Sequence, residues 1–516
     1  MRRNVWLCCL LSTWMFLIFG CRASEPEPDG SSTPPGVPPV ATSPASSEVP
    51  NKCGEIGTAP AVCAPQTITA ASAAIPADAC NPSSLGWRPV QGSFDHLSWQ
   101  SFVALSWPAD LSKGRGVADT TKTLGARGPD GELLPVVWET YKELYEVFQY
   151  DNPAWTLTVD DWNDPQPVPP GCPSAPGARV LRMTSKAQAE LTDNVDNGVN
   201  EAFTGPLVDQ AGKLVWYEIR MNQSEFNDIV KGSYYKKGAD TSALKFTDGA
   251  IEVKAAWKSL SGDETKSGRF FSRNVLVYQG PEGSQPATCK LQPMGLVGFH
   301  ISRKTGLAPN WAWATFEHVD NTPEPGVPST GKSSFFNPSC QPAVTAAECV
   351  GAAKSADPSD PKYQCCPNLQ RYAAIGPGGA PFDQPRGPIQ VTRLEPLSGA
   401  SGCNDAYIAA MPGLIWQNYR LIGTQWLQAG DGPNDPNVTV PQVLRNTVLE
   451  TYFVNWDQSK TPPVQTNTSS CMGCHGGSKA VDFSYVFLAA TKESVPLPPS
   501  PRGTIPVRRA LRLPAK

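Results

Sequence analysis

The chain has 516 residues, with 43 Lys and Arg against 47 Asp and Glu and a formal net charge of −4 at pH 7. That balance offers no basic surface for nucleic acid. Fifteen Trp, 18 Phe and 13 Tyr exceed what one small core holds and imply one large elaborated domain or two.

Arg2 and Arg3 precede an almost unbroken apolar stretch over residues 5–19. This is the pattern of a secretory signal, too short and too asymmetrically flanked for a membrane span. The stretch ends Leu17-Ile18-Phe19-Gly20-Cys21, which resembles the lipobox of bacterial lipoproteins. The resemblance implies a signal peptide over residues 1–20 and lipidation of Cys21, and so an exported protein held on the membrane by a lipid anchor. Residue 22 is Arg and not Asp, which among lipoproteins implies the periplasmic face of the outer membrane or the cell surface. Residues 21–52 read as a disordered tether. Eight prolines and six serines fall between 22 and 50, without an aromatic residue, so there is too little apolar surface to offset ordering entropy.

Residues 53–440 read as a large α+β body, β-rich in its middle. Residues 94–105 (FDHLSWQSFVAL) have apolar residues at helical spacing and stop short of Pro108. Residues 138–148 (WETYKELYEVF) read as a second amphipathic helix and 224–231 as a third, short one. Strand patterns cover 214–220, 251–257 and 274–278. The clearest pair, 296–301 (LVGFHI) and 311–316 (WAWATF), is separated by a loop with Gly and Pro and predicts a hairpin. Residues 441–452 (PQVLRNTVLETY) fit a longer helix with Pro at its first position.

Of 15 cysteines, ten remain once Cys8, Cys9, Cys21 and a pair near the carboxyl end are set aside: Cys53, Cys63, Cys80, Cys172, Cys289, Cys340, Cys349, Cys365, Cys366 and Cys403. An even number in an exported chain predicts disulfides, at most five, whose connectivity the sequence leaves open. Adjacent Cys365 and Cys366 are expected to find separate partners.

The segment 441–490 ends the ordered body and contains Cys471-Met472-Gly473-Cys474-His475. Cys-x-x-Cys-His is the attachment signature of c-type haem. On one helical turn, Cys471 and Cys474 present their sulfurs to the same side, placed for thioethers to the two vinyl groups of one porphyrin. His475 follows as the proximal iron ligand. Ser469 and Ser470 stand where an N-cap is needed, and Gly473 and Gly476 leave room for a flat macrocycle. The competing readings are a structural disulfide, half a zinc site and a thioredoxin-like redox pair. Zinc would need two further ligands, yet the chain has four histidines, the nearest upstream being His318, and no second Cys-x-x-Cys. A thioredoxin-like pair would sit in a βαβ unit without the trailing His. Residues 491–516 read as a disordered basic tail.

The blocks FDHLSWQSFVALSWPAD, IEVKAAWKSL, GLVGFHISRKT, WAWATFEHVDN, LRNTVLETY and SCMGCH resemble those of large bacterial cytochrome c family proteins with a single haem motif near the carboxyl end. The resemblance covers roughly residues 86–490. It implies haem binding and electron transfer and supplies neither a substrate nor a redox partner.

Only 41 residues follow His475, none of them Met or His, so a sixth iron ligand of the usual type must come from far upstream. The choices are His96, His300, His318, Met183, Met221, Met294 and Met411. His300 is favoured, because a strand would fix its direction and apolar neighbours would exclude water. A six-coordinate iron would shuttle single electrons. An open distal site would instead make a peroxidase- or oxygenase-like haem enzyme, or a sensor of small ligands. A surface-attached binding module with a structural haem is a third class. The tryptophans read as core.

Overall fold

A computed structural model describes residues 67–79, 91–148, 161–164, 168–169, 172–173, 179–182, 207–236, 239–279, 288–329, 333–340, 349, 364–369, 387–427, 439–441, 443–457, 459–461, 464–467, 470–476 and 481–489. The predicted signal, tether, lipidation residue Cys21 and basic tail lie outside the described residues, as do Cys53, Cys63, Cys80 and Met183. All described residues fall in one compact unit, Asn51–Lys516.

The chain is mixed α+β and is built on one large, mostly antiparallel sheet. Its strands are β1 (Lys142–Glu143), β2 (Val180–Leu181), β3 (Trp216–Met221), β4 (Ile251–Ser259), β5 (Ser272–Gln279), β6 (Thr288–Thr305), β7 (Ala308–His318), β8 (Tyr419–Leu427) and β9 (Thr439–Val440). The main path runs β1-β3-β4-β6-β7-β8-β9. β6 spans 18 residues and has two uses: its first half pairs with β5, its second with β4 and β7. β2 joins β5 in the one parallel pairing between described strands of this sheet. The predicted β6–β7 hairpin forms with longer strands and a tight turn at Gly306-Leu307, closing on Thr305 opposite Ala308.

Strand alternation sorts the central residues onto two faces. Phe299, Ile301, Ala314 and Phe316 point to one face, where α1 (Gln91–Leu105) lies. There Phe102 stacks on Phe316 with ring centroids 4.4 Å apart, and Trp99 meets Phe316 edge-on at 5.1 Å. α5 (Ser401–Ala409) backs the helix, with Tyr407 stacked on Trp99 at 5.2 Å. α1 is therefore buried nearly all round and needs no polar stripe. It ends before Pro108, whose ring disfavours helical backbone in the preceding residue.

The opposite face is polar and is buried all the same. Cross-strand register lines up Met221, Glu252, Ser302, Trp313 and Gln425 in one row. The next row is Ile219, Lys254, His300, Thr315 and Gly423. Over these rows lie the described residues of the carboxyl-terminal segment 441–489, which have little regular structure. They include the small hairpin of β10 (Val454–Asp457) and β11 (Val464–Asn467), the one-turn helix α6 (Cys471–His475) and a 3₁₀ turn, Val486–Ala489. A buried irregular segment must find partners for its backbone groups, and the sheet's polar side chains supply them. Thr447 N donates to Glu317 Oε1 (2.5 Å), Tyr217 Oη donates to Val448 O (3.0 Å) and Gln425 Nε2 donates to Pro441 O (2.5 Å). Glycine permits the close approach at Gly298, where a Cβ would come within 2.5 Å of Val448 Cγ2.

Two predicted helices are corrected. Residues 138–148 break into a 3₁₀ turn (Val137–Thr140), β1 and the short α2 (Leu144–Phe148). Lys142 and Glu143 pair with β3 in extended backbone, and the Glu146 and Glu143 carboxylates accept from Glu143 N (2.7 Å) and Tyr145 N (2.8 Å), which caps the start of α2 so that helix begins only at Leu144. The described residues among 441–452 are not helical, so among the described residues of the carboxyl-terminal segment the expected helical character is confined to α6 and Val486–Ala489. Side chains there take the backbone groups that a helix would use: Asn446 Oδ1 accepts from Val448 N (3.0 Å) and Glu450 Oε2 from Asn446 N (3.0 Å). Among the described residues the other α-helices are α3 (Gln223–Lys231), close to expectation, and α4 (Gly262–Ser267).

Disulfides join Cys172 to Cys289, Cys340 to Cys365 and Cys349 to Cys366. The adjacent Cys365 and Cys366 thus take separate partners, as expected. Cys403 is also disulfide-bonded.

Candidate functional site

The Cys471–His475 turn is a helix because its first amide hydrogens are met. Ser470 Oγ accepts from Gly473 N at 2.9 Å, the N-cap bond expected of a serine at that place. Gln425 Oε1, rising from β8, accepts from Met472 N at 2.7 Å. The buried Met472 side chain joins the core and half-buried Cys471 packs against it. The backbone of Cys474 belongs to the same turn; its side chain is not among the described groups.

His475 is fixed from three directions. Its ring packs against Trp313 of β7, with centroids 4.1 Å apart, and against Tyr485 at 4.9 Å. Its Nδ1 lies 2.7 Å from Phe483 O. A carbonyl can only accept, so Nδ1 carries the proton and donates, which leaves the lone pair on Nε2.

That carbonyl is held in place at a cost. Asp482 and Phe483 both have positive φ, 50° and 69°, a left-handed conformation that costs about 1–3 kcal/mol per residue. The surroundings offset it. Asp482 forms an ion pair with Lys304 of β6, its Oδ2 accepts from Phe246 N (2.8 Å), and its carbonyl accepts from Trp311 Nε1 (2.8 Å). The next residue, Ser484, donates through Oγ to Glu252 Oε2 at 2.7 Å. Strands β4, β6 and β7 thus pin residues 482–484 so that one carbonyl meets one imidazole.

His300 lies on the same polar face. It stands opposite Thr315, one register step from the Ser302–Trp313 pair, which makes it a diagonal neighbour of the tryptophan beneath His475. Its surroundings are not the apolar ones expected: Lys254 is its cross-strand partner, and its Nε2 lies 3.4 Å from Glu450 Oε2.

His318 is a core residue. It stacks on Phe270 at 4.0 Å; Nε2 donates to Arg269 O (3.0 Å) and Nδ1 accepts from Asp320 N (3.1 Å). Both nitrogens are thus engaged in the neutral form, and burial pushes its pKa down to about 4. His96 belongs to α1, on the other face, with Nδ1 3.1 Å from Tyr407 Oη. Met221 stands at the far end of the Trp313 row. Met294 is paired with Arg273 in the first half of β6, and Met411 follows α5.

Among the described residues no group of three or more His, Cys, Asp or Glu side chains is placed to hold a bare metal ion. The residues present suit a group that brings most of its own ligands: an imidazole whose Nδ1 proton is taken by a backbone carbonyl is the arrangement that orients metal-ligating histidines and raises their basicity. Sequence reasoning missed Trp313, Gln425, Asp482 and the Phe483 carbonyl. Trp313 carried a signal, since the alternation in WAWATF places it on the face opposite Phe316; a backbone carbonyl carries none. In comparisons with protein families, curated proteins and solved structures, nothing matches this chain.

Proposed function

We propose that this chain carries one haem c, attached through Cys471 and Cys474 with His475 as proximal iron ligand, and passes electrons one at a time, as its resemblance to cytochrome c family proteins implies. Bound there, haem supplies a one-electron couple between ferric and ferrous iron. The observation that carries the reading is the 2.7 Å contact of His475 Nδ1 with Phe483 O. It holds the proton away from Nε2 and aims the lone pair, the state that an iron ligand needs. Ser470 and Gln425 hold the helical turn, and Trp313 keeps the imidazole from rotating. His300 is the distal ligand in this reading, being the histidine that shares the sheet face. The carboxyl-terminal segment from 441 to 490 is then the haem-attachment segment.

A second reading rests on the 3.4 Å approach of Glu450 to His300. A histidine paired with a carboxylate beside an open iron site is a distal base, which suits a haem enzyme or a small-ligand sensor. Denaturing gels and spectra separate these outcomes. The wild type should keep its haem through denaturation, and Cys471→Ala or Cys474→Ala should lose most of it. Haem stripped from the wild type by acid acetone ends the proposal. A low-spin spectrum that becomes high-spin and binds carbon monoxide in His300→Ala supports electron transfer. A wild type that is already high-spin supports the second reading.

The proposal includes export and a lipid anchor at Cys21. Three disulfides among the described residues support an oxidising compartment. Fractionation of cells should place the wild type with membranes and Cys21→Ala in the soluble periplasm. A wild type found soluble sinks the anchor and leaves the haem reading standing.

A further inference from the structure

Beside the strap that holds His475 lies a buried pair of carboxyl groups. Glu225, in the first turn of α3, is fully buried, and neither of its carboxyl oxygens has a hydrogen-bond partner. Its backbone N–H is taken by the N-cap Asn222 at 3.1 Å, so the side chain is not spent on capping. Glu252, at the start of β4, is also buried, and Asn222 Oδ1, which caps α3, also accepts from Ile251 N at 3.0 Å, so the start of α3 lies against the start of β4. Glu252 has two partners, Lys254 Nζ at 2.9 Å from Oε1 and Ser484 Oγ at 2.7 Å from Oε2.

Two carboxyl groups in one dry site cannot both ionise cheaply, and the one with fewer partners binds a proton more readily. Here that is Glu225: burial first, and then the Glu252 carboxylate, push its pKa well up. Asp228 from α3 adds to the push and Lys254 from β4 opposes it. From the carboxyl-terminal segment Ser484 is neutral, and Asp482 is taken up by Lys304 of β6 and by Phe246 N. Glu252 reaches His475 in few steps: through Ser484 to the adjoining Phe483, whose carbonyl receives the imidazole proton.

We propose that the Glu225–Glu252 pair is a proton-binding site linked to the redox state of the group at His475. When a one-electron donor reduces that group, the pair takes up one proton from solvent; when the electron leaves, the proton leaves too. The charge at the site changes by one unit, and a low-dielectric interior transmits that change to a carboxyl pair far better than water does. This makes the chain a proton-coupled electron carrier. The inference rests on the haem reading above.

The test is a potentiometric titration, followed by visible absorption, of the purified full chain from about pH 5 to about pH 9. Within the coupling window the potential should fall by about 59 mV per pH unit, a tenfold change in proton activity for one electron. Glu225→Gln, which keeps shape and removes the proton site, should retain covalent haem and give a flat profile. If that variant does not fold, proton uptake on reducing the wild type in weak buffer replaces it, with about one proton per electron expected. A potential independent of pH in protein that carries covalent haem, the same slope in Glu225→Gln, or no proton uptake overturns the inference alone. A chain without haem at Cys471 and Cys474 overturns both it and the reading beneath it.

Discussion

The two faces of strands β4, β6 and β7 are buried by different means. On one, Phe299 and Phe316 meet Phe102 and Trp99 of α1 through ring contacts that ask only for shape. On the other, Glu252, Thr315, Glu317 and Gln425 meet a nearly irregular strap through directed hydrogen bonds. The first face is robust because dispersion and hydrophobic burial are spread over many atoms. The second is specific, because each buried polar group left without a partner costs about 1–3 kcal/mol, so the strap has one low-energy placement. A site that must aim one carbonyl at one imidazole gains from the second kind of packing.

The largest expected effects separate the faces by where stability is lost. Trp99→Ala empties part of the ring cluster and should cost about 3–5 kcal/mol of global stability. Glu317→Ala should cost about as much, because it takes the nearer carboxylate from buried Arg393, leaving it only Glu324 at 3.3 Å, and removes the acceptor for Thr447 N and Thr447 Oγ1. Its loss, however, should be local. Hydrogen exchange should show Thr447 and Val448 amides losing protection in Glu317→Ala while α1 amides keep theirs, and Trp99→Ala should lower both together. Equal loss everywhere in Glu317→Ala would mean that the strap and the sheet unfold as one unit.

Legibility in the sequence follows the same division. Residues 94–105 announced α1 because ring packing leaves a periodic trace, and strands β3 to β7 announced themselves by β-branched and aromatic alternation. The strap did not. Residues 441–452 have helical spacing, yet Asn446, Thr447 and Glu450 bond to backbone and to the sheet, partners that no local pattern encodes. Of the candidate site, Cys471, Cys474 and His475 were legible from chemistry and Ser470 from capping. The support for His475 was not, since it depends on Lys304 and Trp311, more than 160 residues upstream. His300 was placed on its strand correctly, but its polar neighbours come from the strap and from β4.

The two histidines that fall on opposite faces sharpen the comparison through pH. His318, on the ring-packed side, stays neutral because burial, ahead of any charge, depresses its pKa to about 4. The unfolded chain then binds a proton that the folded chain refuses, between the ordinary value of 6.5 and about 4. Its contribution is therefore present above pH 6.5 and lost as pH falls towards 4, by about 3 kcal/mol in all. Urea midpoints of the wild type should decline over that window more steeply than those of His318→Phe. The subtraction removes carboxylates common to both, such as Glu139, held down to about 2 by Arg273 and Arg179 against its own burial. Parallel declines would show that His318 takes its proton without unfolding.

The smallest effect tests whether the strap is built from separable increments. Ser470→Ala removes one acceptor, for Gly473 N at 2.9 Å, and leaves Met472 N on Gln425 and His475 on Trp313 and Phe483. An N-cap loss of this kind costs about 1 kcal/mol. A change of that size should appear as a small fall in urea midpoint at unchanged slope, with the Gly473 amide exchanging faster and Thr447 unaltered. Haem attachment should fall only modestly, because the imidazole's own supports remain. The alternative is that the cap, the helical turn and the 482–484 strap form one cooperative network, as satisfied buried polar groups sometimes do. In that case Ser470→Ala would cost several times more and would loosen Phe483 as well, and the polar face would prove less divisible than the hydrogen bonds around α6 indicate.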